Sequence, residues 1–183
     1  GHGLLPLEVE REWAEVSQQA LDGVAATASA LGALGVGAGR DAATGIRTLR
    51  LHADCHAGNI LWTPAERPGG GPHFVDLDDC RSGPAVQDLW MLQGGSRAER
   101  QRQLGALLDG YEQLRAFDRR ELALIEPLRT LRLIHYSAWI ARRWDDPAFP
   151  AAFPGFGTPD YWRGQVVTLR EQLEAMAEPP LVA

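Results

Sequence analysis

Apolar residues recur at every third or fourth position near the start of the chain and again through most of its second half. The first of these stripes predicts an amphipathic helix over residues 6–34. Its members are Leu7, Trp13, Val16, Ala20, Leu21, Val24 and Ala28. The same spacing follows Asp79 and predicts a mainly helical remainder. The helices expected there cover residues 84–92, 96–117, 118–144 with a kink or restart at Pro127, and 158–177.

Short apolar runs between these helical regions predict strands. They cover residues 47–52, 59–62 and 73–77, and a turn rich in Pro and Gly joins the last two. Strands this short form hairpins rather than a large sheet. A Gly-rich break is expected at residues 35–45, and an aromatic-rich loop at 145–157. The fold class expected is therefore mainly α with short β-hairpins (α+β).

Large aromatic side chains concentrate near the end of the chain. They suit either packing of the last two helices or one wall of a site for an acceptor molecule. Packing is the favoured interpretation, because large aromatic residues most often serve cores. The cluster comprises Trp139, Trp144, Phe149, Phe153, Phe156, Tyr161 and Trp162.

Three polar residues beside the predicted strands carry the strongest chemical signal. Asp54 precedes Asn59 by five residues, and Asp76 follows seventeen residues later at the end of an apolar run. Kinases use this order, with a loop Asp that accepts the proton of the attacking hydroxyl and an Asn and a second Asp that hold magnesium. Mg²⁺ prefers such oxygen ligands. The spacing therefore predicts a phosphotransfer site in which Asp54 is the catalytic base and Asn59 and Asp76 bind Mg²⁺.

Several neighbours are candidates for supporting roles. His56 could contact a phosphate of the nucleotide or order the loop, and Asp78 could bind a second metal or the cofactor. Asp79 could do the same or cap the following turn. His52 is expected to hydrogen-bond backbone and hold the loop. Asp88, on the segment after Pro84, is expected to reach back to backbone N–H groups of the loop, since Leu89, Trp90 and Met91 suggest burial around it.

Composition narrows the possible partners. The net charge of -6 argues against nucleic acid, because phosphate-backbone binding needs a basic face. No apolar run is long enough to span a bilayer, and no basic-then-apolar leader is present, so a cytoplasmic protein without membrane contact is expected. In that compartment Cys55 and Cys80 are expected to remain reduced thiols.

One absence has a larger consequence. All 18 basic residues are arginine, whereas kinases of this kind use a lysine from an N-terminal lobe to hold the ATP phosphates. A glycine-rich phosphate loop is also missing from the sequence. We therefore expect residues 1–183 to form a C-terminal catalytic lobe only, with the N-terminal nucleotide lobe absent. Such a fragment should be a weak or inactive kinase, and its uncovered apolar surface should favour self-association.

The segment His52-Ala53-Asp54-Cys55-His56-Ala57-Gly58-Asn59 resembles the H-G-D-x-H-x-x-N loop of the aminoglycoside phosphotransferase and choline kinase superfamily. A longer match runs through Phe74-Val75-Asp76-Leu77-Asp78-Asp79 and Gly83-Pro84-Ala85-Val86-Gln87-Asp88-Leu89-Trp90-Met91-Leu92. It is similar to the stress response kinase A family, which comprises bacterial cytoplasmic Ser/Thr protein kinases. The resemblance implies a protein-kinase-like fold, ATP and Mg²⁺ as cofactors and a protein Ser/Thr hydroxyl as acceptor. Ala53 departs from the usual Gly and constrains the backbone beside Asp54.

Other functions remain open from the residues alone. A small-molecule kinase for an aminoglycoside, choline or homoserine-like hydroxyl would use the same loop. Asp76-Leu77-Asp78 imitates the nucleophile motif of phosphatase-type hydrolases, although that chemistry also needs a lysine. A zinc hydrolase would use histidine and aspartate ligands, and a lobe without catalysis would act as a binding module. The ligands of the zinc alternative would be His52, Asp54, His56 and His73.

Overall fold

The computed structural model describes residues 3–32 and 45–182. Its five α-helices are Leu7–Ala30 (α1), Arg97–Glu112 (α2), Ile125–Arg142 (α3), Ala148–Ala152 (α4) and Pro159–Ala177 (α5). Its four strands are Leu49–Leu51 (β1), Ile60–Thr63 (β2), Gly71–Phe74 (β3) and Arg81–Gly83 (β4). Short 3-10 helices cover Ala57–Asn59, Ala85–Asp88, Trp90–Leu92 and Arg119–Leu124. The prediction of a mainly α fold with small β elements is confirmed. Within the described ranges, no helix is both long and apolar enough to cross a membrane.

The first of two compact units combines the described parts of Gly1–Ala28 and Glu126–Pro179. Helices α1 and α5 share a buried apolar cluster, and they are also joined by ion pairs from Arg163 to Glu8 and from Arg170 to Glu12, each of 2.6 Å. In the predicted aromatic cluster, Phe156 and Trp162 are buried and the other five rings pack against them. Core packing is thus the role that this unit gives to most of the cluster.

The second unit combines Ser29–Ile125 with Pro180–Ala183, again in its described parts. It holds two antiparallel strand pairs: β1 with β4, and β2 with β3. In the β2–β3 hairpin Ile60 lies opposite Phe74, and in the other pair Leu51 lies opposite Arg81. Residues 52–59 leave β1 and enter β2, so they connect the two pairs. The β3–β4 connection carries Asp76, which brings both predicted site segments into this one unit.

Several element boundaries differ from the prediction. Helix α1 ends at Ala30, and residues 33–44, which include most of the predicted Gly-rich break, lie outside the described residues. Strand β4 was not predicted at all. The predicted loop at 145–157 contains α4, whose first turn is capped by the Asp146 carboxylate accepting from the Ala148 N–H at 3.0 Å. Pro127 lies in the first turn of α3, where backbone N–H groups have no partner within the helix, so its missing N–H breaks no helical hydrogen bond. It therefore marks the start of a new helix and not a kink within one.

The predicted helix at 84–92 is replaced by two 3-10 segments, Ala85–Asp88 and Trp90–Leu92. Its polar side chains bond to other parts of the fold, as described below. The sequence Asp118-Arg119-Arg120-Glu121 has the spacing of a capping box, but the two reciprocal hydrogen bonds of such a box are not formed. The Asp118 side chain accepts from the Arg120 N–H, while the Glu121 side chain turns away toward Val86. Long-range contacts therefore override the local pattern at both places.

Candidate active site

The loop of residues 52–59, called here the Asp54 loop, is held at its start by one carboxylate. Asp88 accepts from the backbone N–H of His52 at 2.8 Å and from that of Ala53 at 2.7 Å. Gln87 adds a hydrogen bond from its Nε2 to the Ala53 carbonyl, at 2.8 Å. The expected reach of Asp88 to the loop backbone is therefore present. Two neighbouring side chains of the Ala85–Asp88 segment therefore hold the backbone of His52 and Ala53, on the N-terminal side of Asp54.

Ala53 has a left-handed backbone conformation, with φ of 72°. For a residue with a Cβ this conformation costs about 1–2 kcal/mol, which explains why related loops place Gly here. Ala53 donates its N–H to Asp88 and accepts at its carbonyl from Gln87, and these two hydrogen bonds hold it in the strained conformation. The constraint expected from Ala53 is thus visible as a positive φ.

The Asp54 loop is tied to the strand that carries Asp76. His52 donates from Nε2 to the Val75 carbonyl at 2.8 Å, and the Val75 N–H donates to the Asn59 carbonyl at 3.0 Å. Since a carbonyl can only accept, the His52 ring carries its proton on Nε2. Asp76 follows Val75 directly and has a φ of 62°, so it is, like Ala53, a non-glycine residue in the left-handed conformation. His52 therefore holds the loop through backbone contacts, in the manner predicted for it.

Asn59 is buried and belongs to the turn that ends the loop. Its side-chain N–H group donates to the Asp54 carbonyl at 3.1 Å, which orients the amide. Because the nitrogen is used in this way, the Oδ1 atom is the one left for a cation. Asn59 contacts the backbone on both sides, at Asp54 and at Val75, so three predicted site residues are connected by short backbone-mediated links.

Asp54 lies beside His56. The His56 Nε2 atom is 3.5 Å from the Asp54 carboxylate, and its Nδ1 atom accepts from the Gly58 N–H at 3.0 Å. The His56 ring closes over Gly58 so tightly that a Cβ there would meet the ring at 2.9 Å. His56 thus orders the loop, the second of the two roles considered for it. Contact with a phosphate stays a prediction.

The acidic residues after Asp76 have separate environments. Asp78 is exposed in the turn from Leu77 to Cys80, and its predicted role with a cofactor or second metal stays a prediction. The Asp79 carboxylate pairs with Arg81 at 2.9 Å, and both side chains are largely exposed. An ion pair of this kind contributes little to stability. The pair ties Asp79 to the first residue of β4, and the alternative role of Asp79 with a second metal stays a prediction.

Cys55 is buried within the loop. Burial raises the pKa of its thiol to about 11, and the nearby Asp88 and Asp54 carboxylates add to the shift. Thiolate is the nucleophilic form of cysteine, so this environment suppresses nucleophilic chemistry. Cys55 therefore packs inside the loop and is not suited to act as a nucleophile.

Asn59 and Asp76 offer an amide oxygen and a carboxylate, the donor types that Mg²⁺ accepts. The pair fits a magnesium ion that also binds phosphate oxygens and water, since Mg²⁺ takes few protein ligands. The zinc alternative finds no support in geometry: the described part of the chain holds no group of three or more His, Cys, Asp or Glu that could share a metal. The chemistry of the donors thus favours magnesium.

Two residues with long-range hydrogen bonds near the loop were not predicted from the sequence: Gln87, which bonds to the loop, and Glu121, which bonds to the Ala85–Asp88 segment. Gln87 stands next to Asp88, and that position was its only signal. Glu121 lies 35 residues from Val86, to which its carboxylate bonds at 2.9 Å, and no local pattern indicates such a contact. Both bond to backbone groups, since Gln87 donates to the Ala53 carbonyl and Glu121 accepts from the Val86 N–H, and such groups are present whatever side chain the residue carries.

Comparisons with known proteins identify the family of this chain. Residues 6–125 match the model of the phosphotransferase enzyme family. Over 138 residues the chain is 54% identical to stress response kinase A of Salmonella choleraesuis (strain SC-B67), covering 75% of this chain and 40% of that protein. The serine/threonine protein kinase RdoA of Salmonella typhimurium (strain LT2) is likewise 54% identical over 138 residues, with the same coverage.

Stress response kinase A of Escherichia coli (strain K12) is 56% identical over 133 residues, or 73% of this chain and 39% of that protein. The chain thus spans about two fifths of the length of the curated relatives that it matches. The Asp54 loop, Asp76 and Asp88 lie inside the residues matched by the family model. The chain belongs to the phosphotransferase enzyme family.

Proposed function

We propose that the whole protein is an ATP- and magnesium-dependent kinase that phosphorylates Ser or Thr hydroxyls of proteins in a bacterial stress response. The single observation that carries this proposal is the linkage of Asp54, Asn59 and Asp76 through the backbone of Val75 and the Asn59 side chain. The names of the relatives support a protein as acceptor, since one is a serine/threonine protein kinase. The chain contributes the lobe that holds the acceptor side of this chemistry.

Each residue of the site has a defined task in this proposal. Asp54 orients the acceptor hydroxyl and accepts its proton. Asn59, through Oδ1, and Asp76 would hold Mg²⁺, which when bound neutralises charge on the nucleotide phosphates. The Asn59 bond to the Asp54 carbonyl keeps the two groups at a constant spacing. The hydrogen bonds that Asp88 accepts and Gln87 donates hold the backbone of Ala53, and this positions the neighbouring Asp54 carboxylate for proton transfer.

The β2–β3 hairpin carries an exposed apolar surface on one of its faces. Trp62 is 69% exposed and Phe74 is 52% exposed. They share a face because Phe74 lies opposite Ile60, two residues before Trp62 on the same strand. Exposed apolar residues that lie together mark a surface that another element covers. We propose that ATP and an N-terminal nucleotide lobe of the whole protein cover it, and that this lobe supplies the lysine that residues 1–183 lack. The present chain alone then binds nucleotide weakly and self-associates.

The proposal is tested with the full-length protein, Mg²⁺-ATP and a generic protein substrate, with phosphorylated residues identified by mass spectrometry. Asp76→Ala should raise the Mg²⁺ concentration needed for half-maximal rate and lower the rate as well, because a metal ligand is lost. Asp79→Ala removes a carboxylate from the same connection, and because Asp79 pairs with Arg81 at the surface it should change the magnesium dependence less than Asp76→Ala does. Phosphate found solely on an aminoglycoside or choline-like additive would replace the protein acceptor by a small molecule. Unchanged magnesium dependence in Asp76→Ala would remove Asp76 from the metal site.

A further inference from the structure

The Asp54 loop depends on the Ala85–Asp88 segment for its backbone geometry. Asp88 and Gln87 together make three hydrogen bonds to His52 and Ala53, at 2.7–2.8 Å. A shift of this short segment would therefore move the peptide groups on the N-terminal side of Asp54. The geometry of the loop thus depends on the contacts that hold the Ala85–Asp88 segment in place.

The segment begins without a side-chain cap of its own. Pro84 stands at its N-cap position and makes no side-chain cap hydrogen bond, so the first N–H groups need acceptors from elsewhere. Val86 is fully buried, with 0% exposure, which excludes water as its partner. The acceptor is Glu121, whose Oε2 atom receives the Val86 N–H at 2.9 Å. The Ala85 N–H interacts with the same carboxylate.

Glu121 is itself buried, with 3% exposure. Burial raises the pKa of its carboxyl group, and the charge of Asp118 adds to this, while the N–H groups of Val86 and Ala85 and the charge of Arg120 oppose it. Arg47, Arg115 and Tyr111 line a cavity of about 60 Å³ beside Glu121. A buried carboxylate is a poor source of stability, because apolar residues of the same size often stabilise a fold as well. Its contacts instead indicate a role in geometry.

We propose that Glu121 is a positioning residue for the Asp54 loop. Its carboxylate fixes the start of the Ala85–Asp88 segment, and Asp88 and Gln87 pass that geometry to the left-handed Ala53 and so to Asp54. The kinetic part of this inference rests on the proposed kinase function. The structural part does not, because it concerns hydrogen bonds within the second unit alone.

The structural part is tested by hydrogen exchange of the His52 and Ala53 amides. Glu121→Met keeps the volume and removes the acceptor, and exchange at both amides should become roughly tenfold faster or more relative to amides of α2. Glu121→Gln keeps an acceptor oxygen and should restore most of the protection. The matched control is Glu99→Gln, since Glu99 also accepts from a backbone N–H, that of Ser96 at 2.8 Å, but caps α2 instead. If Glu121→Met does not fold, Glu121→Asp, which is one methylene shorter, should show the faster exchange.

The kinetic part is tested on the full-length protein. Glu121→Met should lower kcat about tenfold or more with less than about a twofold change in the KM for ATP, because loop positioning and not nucleotide binding is lost. Glu121→Gln should recover most of kcat. Protection at His52 and Ala53 that is unchanged in Glu121→Met would overturn the inference whatever the activity. Wild-type kcat in a Glu121→Met protein that transfers phosphate would overturn it as well. A wild-type protein without any phosphotransfer would instead count against the proposed function, and the exchange result would still decide the role of Glu121.

Discussion

Removing the Asp88 carboxylate should release the Asp54 loop at a measurable cost in stability. Hydrogen bonds to a charged acceptor contribute about 1.5–3 kcal/mol each, and Asp88 is partly exposed, so the lower end applies to its two bonds. These bonds therefore account for about 3 kcal/mol. Relaxation of the left-handed Ala53 would return about 1–2 kcal/mol of strain. The net loss expected for Asp88→Ala is thus about 1–2 kcal/mol.

Urea unfolding followed by circular dichroism measures this difference, and exchange of the His52 and Ala53 amides localises it. Asp88→Asn keeps one acceptor oxygen and should lose about half as much. Asp79→Ala is the control, because its exposed ion pair with Arg81 is worth under about 1 kcal/mol. If Asp88→Ala proves as stable as Asp79→Ala, with unchanged exchange at the two amides, the carboxylate does not hold the loop and the reasoning fails.

Three further outcomes are expected. In urea unfolding, Ala53→Gly should be more stable than Ala85→Gly by about 1–2 kcal/mol. Both changes remove a buried methyl group and raise the entropy of the unfolded chain, but only Ala53 has a positive φ that glycine relieves. Equal losses of stability in the two variants would show that Ala53 is unstrained. In the native protein Cys55 should resist alkylation at pH 8 while Cys80 reacts, and rapid labelling of both thiols would contradict the burial of Cys55. The stabilising contribution of Cys55 is present below the unfolded pKa of 9.0 and should be lost as the pH rises through about 11. The isolated 183-residue chain should bind Mg²⁺-ATP weakly and self-associate in light scattering, whereas a monomer with strong turnover would refute the assignment of the missing lobe.

The candidate site residues could be predicted from the sequence where they follow a fixed spacing. Asp54, Asn59 and Asp76 stand at the intervals of the kinase signature, and the fold links them through hydrogen bonds to Asn59. Helix α5 was equally accessible, since Thr158 caps it and Pro159 opens it, both local signals. In each case the information lies within a few residues.

The contacts that hold the site could not be derived in this way. Strand β4 exists because Arg81 and its neighbours pair with β1, thirty residues earlier in sequence, and its own residues show no alternation. The Ala85–Asp88 segment is a 3-10 helix. Near its start the Val86 N–H donates to Glu121, and at its end Asp88 accepts from the backbone of the Asp54 loop. Glu121 itself matched a local capping pattern that the fold does not use. Such long-range bonds decide between local alternatives that the sequence leaves equally open.

The most direct measurement is the rate of phosphoryl transfer by the full-length protein with Asp54 replaced. Single-turnover transfer from Mg²⁺-ATP to a protein substrate should be slowed by ~10²–10⁴-fold or more in Asp54→Ala, with circular dichroism and ATP affinity close to the wild type. Asp54→Asn, which keeps the shape and removes the base, should be slowed as well. Near-normal transfer by a well-folded Asp54→Ala protein would contradict the account at its centre.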